Sequence, residues 1–213
     1  MSVLLHLVNM DADAISNTSR NDETRKRILE LAKTRFLTQR YSKVSVDDLS
    51  KTLRISKKTL YQHFSSKEVL LAEAVTQHLG DFDVSIRQIV EGDGNFVDKL
   101  EHLLRLIHER FGWLEPHALE DIQVQVPHVW QHIMTFRTKT LTENLVTLLE
   151  EGKQEGTLRG DLEASLVVEM MLASLRTLTR PQTLAARDRS ASQMVTLVVR
   201  TMIEGCRKDS DEQ

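Results

Sequence analysis

Apolar residues recur at every third or fourth position along most of this chain, the spacing that places them on one face of an α-helix. The pattern is clearest from Val69 to Ile89, where it predicts one long helix that ends at the turn Gly92-Asp93-Gly94. Only 3 prolines and 8 glycines occur in the chain, and no alternating run indicates a β-strand. The sequence therefore predicts an all-α fold of about nine helices.

Capping and turn residues divide this pattern into segments. A first helix is expected to begin near Asn21, with acidic residues in its first turn. Pro127 stands where proline is tolerated, at the start of a long helix, and Asp161 is a candidate cap for the helix that follows the turn at 156–160. The predicted helices after residue 94 cover 95–111, 117–124, 127–153, 162–179 and 185–207.

The segment 45–67 has the pattern of two short helices joined by a tight turn. Ser45 is a candidate N-cap for the first helix, and Asp48 three residues later completes a capping box. Arg54 takes the turn, and Ser56 is a candidate N-cap for the second helix. This arrangement is typical of a helix-turn-helix, whose second helix enters the major groove of DNA.

The charge distribution supports a nucleic-acid partner. Residues 20–70 carry 13 Lys or Arg against 6 Asp or Glu, a net charge of +7, whereas the remaining residues carry 15 against 25, a net charge of −10. The overall charge of −3 therefore conceals a basic module on an acidic body. A localised basic patch attracts the DNA backbone, and the acidic remainder is repelled by it.

The stretch from Thr24 to Val75 resembles the DNA-binding region of the TetR family of bacterial transcription regulators. The resemblance rests on the sequence Thr-Leu-Tyr-Gln-His-Phe at 59–64, followed by Ser-Lys-Glu-Val-Leu at 66–70, and it covers about a quarter of the chain. Arg40 and Arg54 depart from the family pattern, which usually has glycine at both positions.

The resemblance implies an N-terminal three-helix helix-turn-helix domain and a larger C-terminal helical domain for effector binding and dimerisation. It also implies a homodimer on a palindromic operator in double-stranded DNA, with repression that a small-molecule effector relieves. Two alternatives stay open: a DNA-bound protein that acts through a protein partner, and a ligand-binding helical bundle without specific DNA binding.

Side chains on and around the second short helix are predicted to contact DNA. Base readout is expected from Lys57, Lys58 and Thr59, because the first residues of a recognition helix reach the base edges. Ser65 and Glu68 are expected to cap the next helix, whose N-terminus suits a phosphate. The predicted DNA-binding set is Lys43, Ser45, Ser56, Lys57, Lys58, Thr59, Tyr61, His63 and Lys67.

Aromatic and methionine residues gather in the segments after the fifth helix. They are expected to form either a largely apolar ligand pocket or an aromatic-rich core beneath a break between helices. In the TetR family this region forms the effector cavity, and the resemblance favours the pocket. The candidate lining residues are His108, Phe111, Trp113, His117, Trp130, Met134 and Met170.

The sequence contains no pattern typical of a catalytic centre, such as a glycine-rich phosphate loop or a nucleophile elbow. His128 and His132 have the spacing of a two-histidine metal site, but the Val-Trp-Gln between them lacks the glutamate of the metalloprotease motif. An ordinary helix surface is the alternative for this pair. The chain is therefore predicted not to be an enzyme, with no cofactor and no resident metal.

The last two predicted helices present broad faces of small and aliphatic residues. Such faces form either a helix-on-helix dimer seam or the core of a single chain. A dimer is favoured because one recognition helix reads few base pairs, and two-fold dimers read half-sites about 34–36 Å apart. The candidate seam residues are Leu166, Val167, Met170, Ala173, Ser174, Leu178, Met194, Leu197, Val198, Thr201 and Met202.

These features predict a flexible N-terminal arm at 1–19, a DNA-binding domain at 20–66, an effector-binding and dimerisation domain at 67–207 and a polar tail at 208–213. Met1 and Met10 are both candidate start residues. The single cysteine, Cys206, excludes an internal disulfide and suits a reducing compartment. A cytoplasmic, nucleoid-associated bacterial protein is expected.

Overall fold

In the computed structural model, which describes residues 2–112 and 114–208, ten α-helices account for most of the described chain. The helices are α1 (Ser2–Thr38), α2 (Val46–Leu53), α3 (Lys57–His63), α4 (Lys67–Glu91), α5 (Phe96–Phe111), α6 (Pro116–Gln125), α7 (Pro127–Gln154), α8 (Ala164–Leu178), α9 (Pro181–Arg187) and α10 (Ala191–Gly205). A short 3-10 turn, Tyr41–Lys43, joins α1 to α2. The all-α prediction is confirmed. Met1, Trp113 and residues 209–213 of the predicted tail lie outside the described residues.

Helix α1 begins at Ser2 and not near Asn21. The segment predicted as a flexible arm is therefore helical from Ser2 onward. Residues 2–38 contain no proline or glycine that would break a helix, and the polar residues at 11–19 disfavour helix formation only weakly.

Helix α4 lies at the centre of the packing and contacts α1, α5 and α7. Its buried face includes Val75, Leu79, Phe82 and Ile86, at the spacing from which the helix was predicted. These side chains belong to both hydrophobic clusters of the protein: Val75 and Leu79 to the first, Phe82 and Ile86 to the second. One continuous helix therefore contributes to both clusters.

The first cluster joins the DNA-proximal helices to α6. It contains Phe36, Leu49, Leu60 and Phe64 from the N-terminal helices, and it continues through Ile122 of α6. The second cluster lies between the C-terminal half of α4 and helices α5, α7, α8 and α10. The predicted boundary between 66 and 67 stays a prediction, although the core of the N-terminal helices clearly extends beyond it.

Two predicted caps are wrong by one or more residues. Helix α4 is capped by Ser66, whose hydroxyl accepts from the Val69 N–H at 3.1 Å, so Ser65 and Glu68 form no capping box. Helix α8 begins only at Ala164, because the Asp161 carboxylate binds the Arg159 guanidinium at 2.7 Å and is not available as a cap.

The predicted final helix is divided in two. Asp188 ends α9 with a left-handed backbone, φ 49° and ψ 48°. Ser190 and Gln193 then form a capping box, in which the Ser190 N–H donates to Gln193 Oε1 at 3.0 Å and the Gln193 N–H donates to Ser190 Oγ at 3.2 Å. This box starts α10 at Ala191. Among the described residues no helix is long and apolar enough to cross a lipid bilayer.

Candidate functional site

The helix-turn-helix is held by local hydrogen bonds between α2 and α3. Ser45 Oγ accepts from the Asp48 N–H at 3.0 Å, and Ser56 Oγ accepts from the Thr59 N–H at 2.9 Å, which confirms both predicted caps. The Asp48 carboxylate accepts from the Ser45 hydroxyl at 2.7 Å and not from the backbone, so the first capping box is only half formed. Arg54 makes the turn with a left-handed backbone, φ 55° and ψ 42°.

The geometry of the turn presents the start of α3 to solvent. Leu60 and Phe64 are buried and fix α3 against the first cluster, while Lys57 and Lys58 stay exposed at its first turn. Tyr61 is 49 % exposed, which is high for an aromatic side chain. The remaining predicted DNA-binding residues are exposed at Lys43 and Ser56, and partly exposed at Ser45, Thr59, His63 and Lys67.

Two of these cations already have partners within the protein. Lys57 Nζ lies 2.6 Å from Asp47 Oδ1 of α2, a pair in which both side chains remain largely exposed. Lys67 Nζ donates to the Tyr41 carbonyl at 2.5 Å and lies 4.1 Å from the centroid of the Tyr41 ring. Burial lowers the pKa of Lys67, and the Asp121 carboxylate opposes that shift. Lys67 therefore anchors the 3-10 turn to α4, and its role in phosphate binding stays a prediction.

A largely apolar cavity of about 110 Å³ lies below the helix-turn-helix, where α4, α5, α6, α7 and α10 meet. Three predicted pocket residues, Phe111, Trp130 and Met134, line it. The full described lining is Leu37, Val75, His78, Leu79, Phe82, Ile107, Phe111, Leu114, Leu119, Trp130, Ile133, Met134, Phe136, Leu141, Thr179, Ala191, Ser192 and Val195.

The other predicted pocket residues lie elsewhere. His108 Nδ1 is 3.4 Å from the Ser192 hydroxyl, one side chain away from the cavity. His117 is half-exposed beside Glu115, because α6 turns it outward. Met170 is 56 % exposed on the outer face of α8, and its neighbour Met171 is the buried one. Trp113 lies outside the described residues.

Sequence reasoning missed His78, the polar residue that α4 directs into the cavity. Its ring lies 5.3 Å from the Phe111 ring in an edge-to-face arrangement. Burial, followed by the charges of Lys33 and Arg110, lowers the pKa of His78 to about 4, so the imidazole is neutral near pH 7. The signal was present in the sequence: a histidine stands on the apolar face of the long helix, between Val75 and Phe82.

The two histidines considered as metal ligands contact α4 instead. His128 Nε2 lies 3.3 Å from Glu68 Oε1, and His132 Nε2 lies 3.3 Å from Thr76 Oγ1. Within residues 2–112 and 114–208, no group of three or more His, Cys, Asp or Glu side chains is placed to hold a metal ion. The pair therefore takes part in the packing of α7 against α4.

Helix α6 connects the cavity to the N-terminal helices through two hydrogen bonds. Asp121 Oδ2 accepts from the backbone N–H of Ser42 at 2.6 Å, and the Glu115 N–H donates to the Leu37 carbonyl at 3.1 Å. Leu37 and Leu119 both line the cavity. The cavity wall is therefore connected by hydrogen bonds to the residues that precede α2.

The predicted dimer seam is partly exposed and partly buried in this chain. Leu166, Met170 and Leu197 are 51 %, 56 % and 51 % exposed, and Ala173 is exposed on the same face of α8. Met194 and Val198 are 3 % and 7 % exposed, because α10 turns this side toward α5 and α8. These two residues therefore lie in the core of the single chain, the alternative that the sequence left open for these faces.

Comparisons with known proteins agree with this geometry. Residues 28–74 match the sequence model of the bacterial regulatory proteins of the tetR family. The chain is 28% identical over 152 residues to the HTH-type transcriptional regulator UidR of Escherichia coli, covering 70% of this chain and 76% of UidR. It is 26% identical over 159 residues to the transcriptional repressor KstR2 of Rhodococcus jostii, covering 73% of this chain and 78% of that protein.

Solved structures share the fold. A TetR-family regulator from Agrobacterium tumefaciens superposes with a TM-score of 0.68 at 19% identity, covering 88% of this chain and 100% of that one. The ketosteroid regulator KstR2 of Mycobacterium tuberculosis gives a TM-score of 0.55 at 23% identity, covering 87% and 95%. Residues 28–74 are therefore a helix-turn-helix of the TetR type, in a chain that is similar to HTH-type transcriptional regulators and shares the fold of TetR-family structures.

Proposed function

We propose that this protein is a homodimeric repressor of the bacterial cytoplasm that leaves its operator when a small, largely apolar molecule occupies the cavity below the helix-turn-helix. The observation that carries this proposal is the direct contact between the cavity wall and the helix-turn-helix domain through α6. Leu119 lines the cavity, and two residues further along the same helix Asp121 binds the Ser42 N–H.

The exposed surface at the start of α3 supports operator binding by the residues predicted from sequence. Lys57, Lys58 and Thr59 occupy the first turn of the recognition helix, the part that reaches base edges in helix-turn-helix proteins. Tyr61 and His63 lie further along α3, where they are available for phosphates. Phosphate contacts position the protein, and base contacts give specificity.

The exposed apolar face of α8 and α10 supports a two-fold dimer. Leu166, Met170 and Leu197 are each more than half exposed on adjacent, packed helices. Covering such a face with a second copy removes apolar surface from water, at about 25 cal/mol per Å². A dimer presents two recognition helices to two half-sites, which is how operator specificity arises.

The mechanism follows from the differential affinity of the ligand for two arrangements of the dimer. An effector lowers operator occupancy only if it binds better to the arrangement in which the recognition helices are wrongly placed. Helix α4 carries cavity residues and packs against α1, and α6 carries the bonds to Leu37 and Ser42. A coupling free energy of about 1–3 kcal/mol gives a five- to 150-fold change in operator affinity.

The test is operator binding, beginning with a DNA site selected from a random duplex pool. Six to ten phosphate contacts per dimer predict that affinity falls by ~10³–10⁵-fold between 50 and 200 mM salt. Lys58→Ala should weaken binding to the selected site, whereas Lys139→Ala, which removes the same charge from an exposed position of α7, should not. Equal losses in both variants, or an affinity independent of salt, would contradict this function.

A further inference from the structure

The size of the cavity limits what it accepts. Pockets for drug-sized ligands measure about 300–1,000 Å³, whereas an apolar protein cavity of about 150 Å³ accommodates benzene. The cavity here is about 110 Å³. The cavity is therefore closer in size to a site for one six-membered ring than to a site for a drug-sized ligand, and a ring with a substituent requires the wall to move apart.

The wall of the cavity is rich in aromatic rings. Phe82 and Phe111 meet edge to face, with ring centroids 4.8 Å apart and an angle of 80° between the planes. Helix α7 contributes two further aromatic rings, Trp130 and Phe136, and α4 contributes the neutral imidazole of His78. Aromatic rings paired edge to face or offset attract each other more strongly than other apolar groups that bury the same area. An aromatic ligand therefore gains more here than an aliphatic one.

Two hydroxyl groups lie on this wall, and that of Thr179 donates to the Leu175 carbonyl at 2.6 Å. The other belongs to Ser192. Ser192 is 0 % exposed and lines the cavity from the first turn of α10. Its Oγ lies 2.9 Å from Ser190 Oγ and 3.4 Å from His108 Nδ1. A hydroxyl has one donor and two acceptor sites, so Ser192 has capacity for one more hydrogen bond.

The described lining residues are all uncharged. Burial of an ionised ligand group without a partner of opposite charge costs far more than burial of a hydroxyl or carbonyl that finds a hydrogen bond. The chemistry of the wall therefore favours an uncharged ligand.

We propose that the cavity binds a single-ring aromatic molecule that carries one uncharged hydroxyl or carbonyl group, with the ring among Phe82, Phe111 and Trp130 and the polar group hydrogen-bonded to Ser192. The inference rests on the proposed effector function of this cavity and adds the chemical class of the effector.

The test measures binding by calorimetry to the full chain, without DNA, with benzyl alcohol, toluene and benzoate as probes. One added hydrogen bond predicts that benzyl alcohol binds about 2- to 13-fold tighter than toluene. Benzoate should bind at least about tenfold more weakly than benzyl alcohol. Ser192→Ala should remove the preference for benzyl alcohol over toluene while toluene binding stays the same.

A second pair of variants locates the site. Val195→Phe fills the cavity and should abolish binding of both neutral probes, whereas Val84→Phe, at a 57 % exposed position of α4, should leave it unchanged. Circular dichroism checks that both variants remain folded. Benzoate binding tighter than benzyl alcohol, a preference that survives Ser192→Ala, or binding that survives Val195→Phe overturns the inference. Probes that bind as predicted without changing operator affinity leave the inference standing and refute the effector function instead.

Discussion

Replacement of Asp121 should weaken the connection between α6 and the helix-turn-helix domain. Its carboxylate is the partner of the Ser42 N–H, at 2.6 Å, and the residue is only 8 % exposed. Asp121→Ala leaves that partly buried N–H without its side-chain acceptor. The same change removes the negative charge that raises the pKa of Lys67 and so opposes the effect of burial. Lys67 is the residue that anchors the 3-10 turn to α4.

The expected loss follows from the kind of bond. Hydrogen bonds to charged groups contribute about 1.5–3 kcal/mol, so the free energy of unfolding should fall by that amount in Asp121→Ala. Glu120→Ala is the matched control on the same helix. Glu120 Oε2 lies 3.9 Å from Arg40 Nη1 and both side chains are more than 40 % exposed, so its loss should cost only about 0–1 kcal/mol.

Urea unfolding at one fixed protomer concentration gives the first measurement, since the stability of a dimer depends on concentration. Hydrogen exchange of the Ser42 amide gives the second. It should accelerate by about 10- to 150-fold in Asp121→Ala, the ratio that corresponds to 1.5–3 kcal/mol, and stay unchanged in Glu120→Ala. Equal stability losses in the two variants, together with unchanged exchange at Ser42, would refute the role of this bond.

Three further outcomes are expected. Between pH 6.5 and pH 4, the free energy of unfolding should fall by up to about 3 kcal/mol more in the wild type than in His78→Leu. Burial lowers the pKa of His78 in the folded protein to about 4, so in this pH range only the unfolded chain takes up a proton at His78. Urea unfolding at several pH values measures the difference, and parallel profiles for the two proteins would contradict this prediction. Lys58→Ala should reduce the preference for the correct base at one position per half-site by ~1–3 kcal/mol, whereas Lys67→Ala should lower the affinity for all DNA sequences about equally. Affinities for a panel of single-base operator variants distinguish the two effects, and the reverse pattern would exchange the two roles. Ala173→Glu should sediment as a folded monomer. Val198→Glu should unfold, because Val198 is only 7 % exposed and the substitution buries a carboxylate without a partner. A dimeric Ala173→Glu variant would place the dimer seam elsewhere.

The features that could be predicted from the sequence are those that neighbouring residues determine. The Ser45 and Ser56 caps, the Asn95 cap of α5 and the 25-residue length of α4 depend on side chains within a few positions of the backbone they serve. The turn at Arg54, where the family pattern usually has glycine, was predicted as well, and its backbone is left-handed. Local hydrogen bonds and helical periodicity depend on residues that are close together in the sequence.

The features that were missed depend on contacts between residues far apart in the chain. The ammonium group of Lys67 reaches the carbonyl of Tyr41, 26 positions earlier, a contact that the sequence did not predict. Met170 and Met171 are adjacent in sequence, and only the packing of α8 on its neighbours decides which one is buried. Ser192 reaches the cavity because a capping box begins α10 at Ala191, a register that the periodicity of 185–207 does not reveal.

In the proposed mechanism, helix α6 is the shortest connection between the cavity and the helix-turn-helix. If α4 were the sole connection, a ligand would have to tilt a helix that is buried along its length in both hydrophobic clusters. Helix α6 is short, and its attachments to the N-terminal helices include the hydrogen bonds at Leu37 and Ser42. The bond at Ser42 alone, at about 1.5–3 kcal/mol, has the magnitude of a typical allosteric coupling. Displacement of Leu119 by a ligand would therefore loosen one attachment of the 3-10 turn that leads into α2, while the hydrogen bond from Lys67 to the Tyr41 carbonyl still holds the turn to α4.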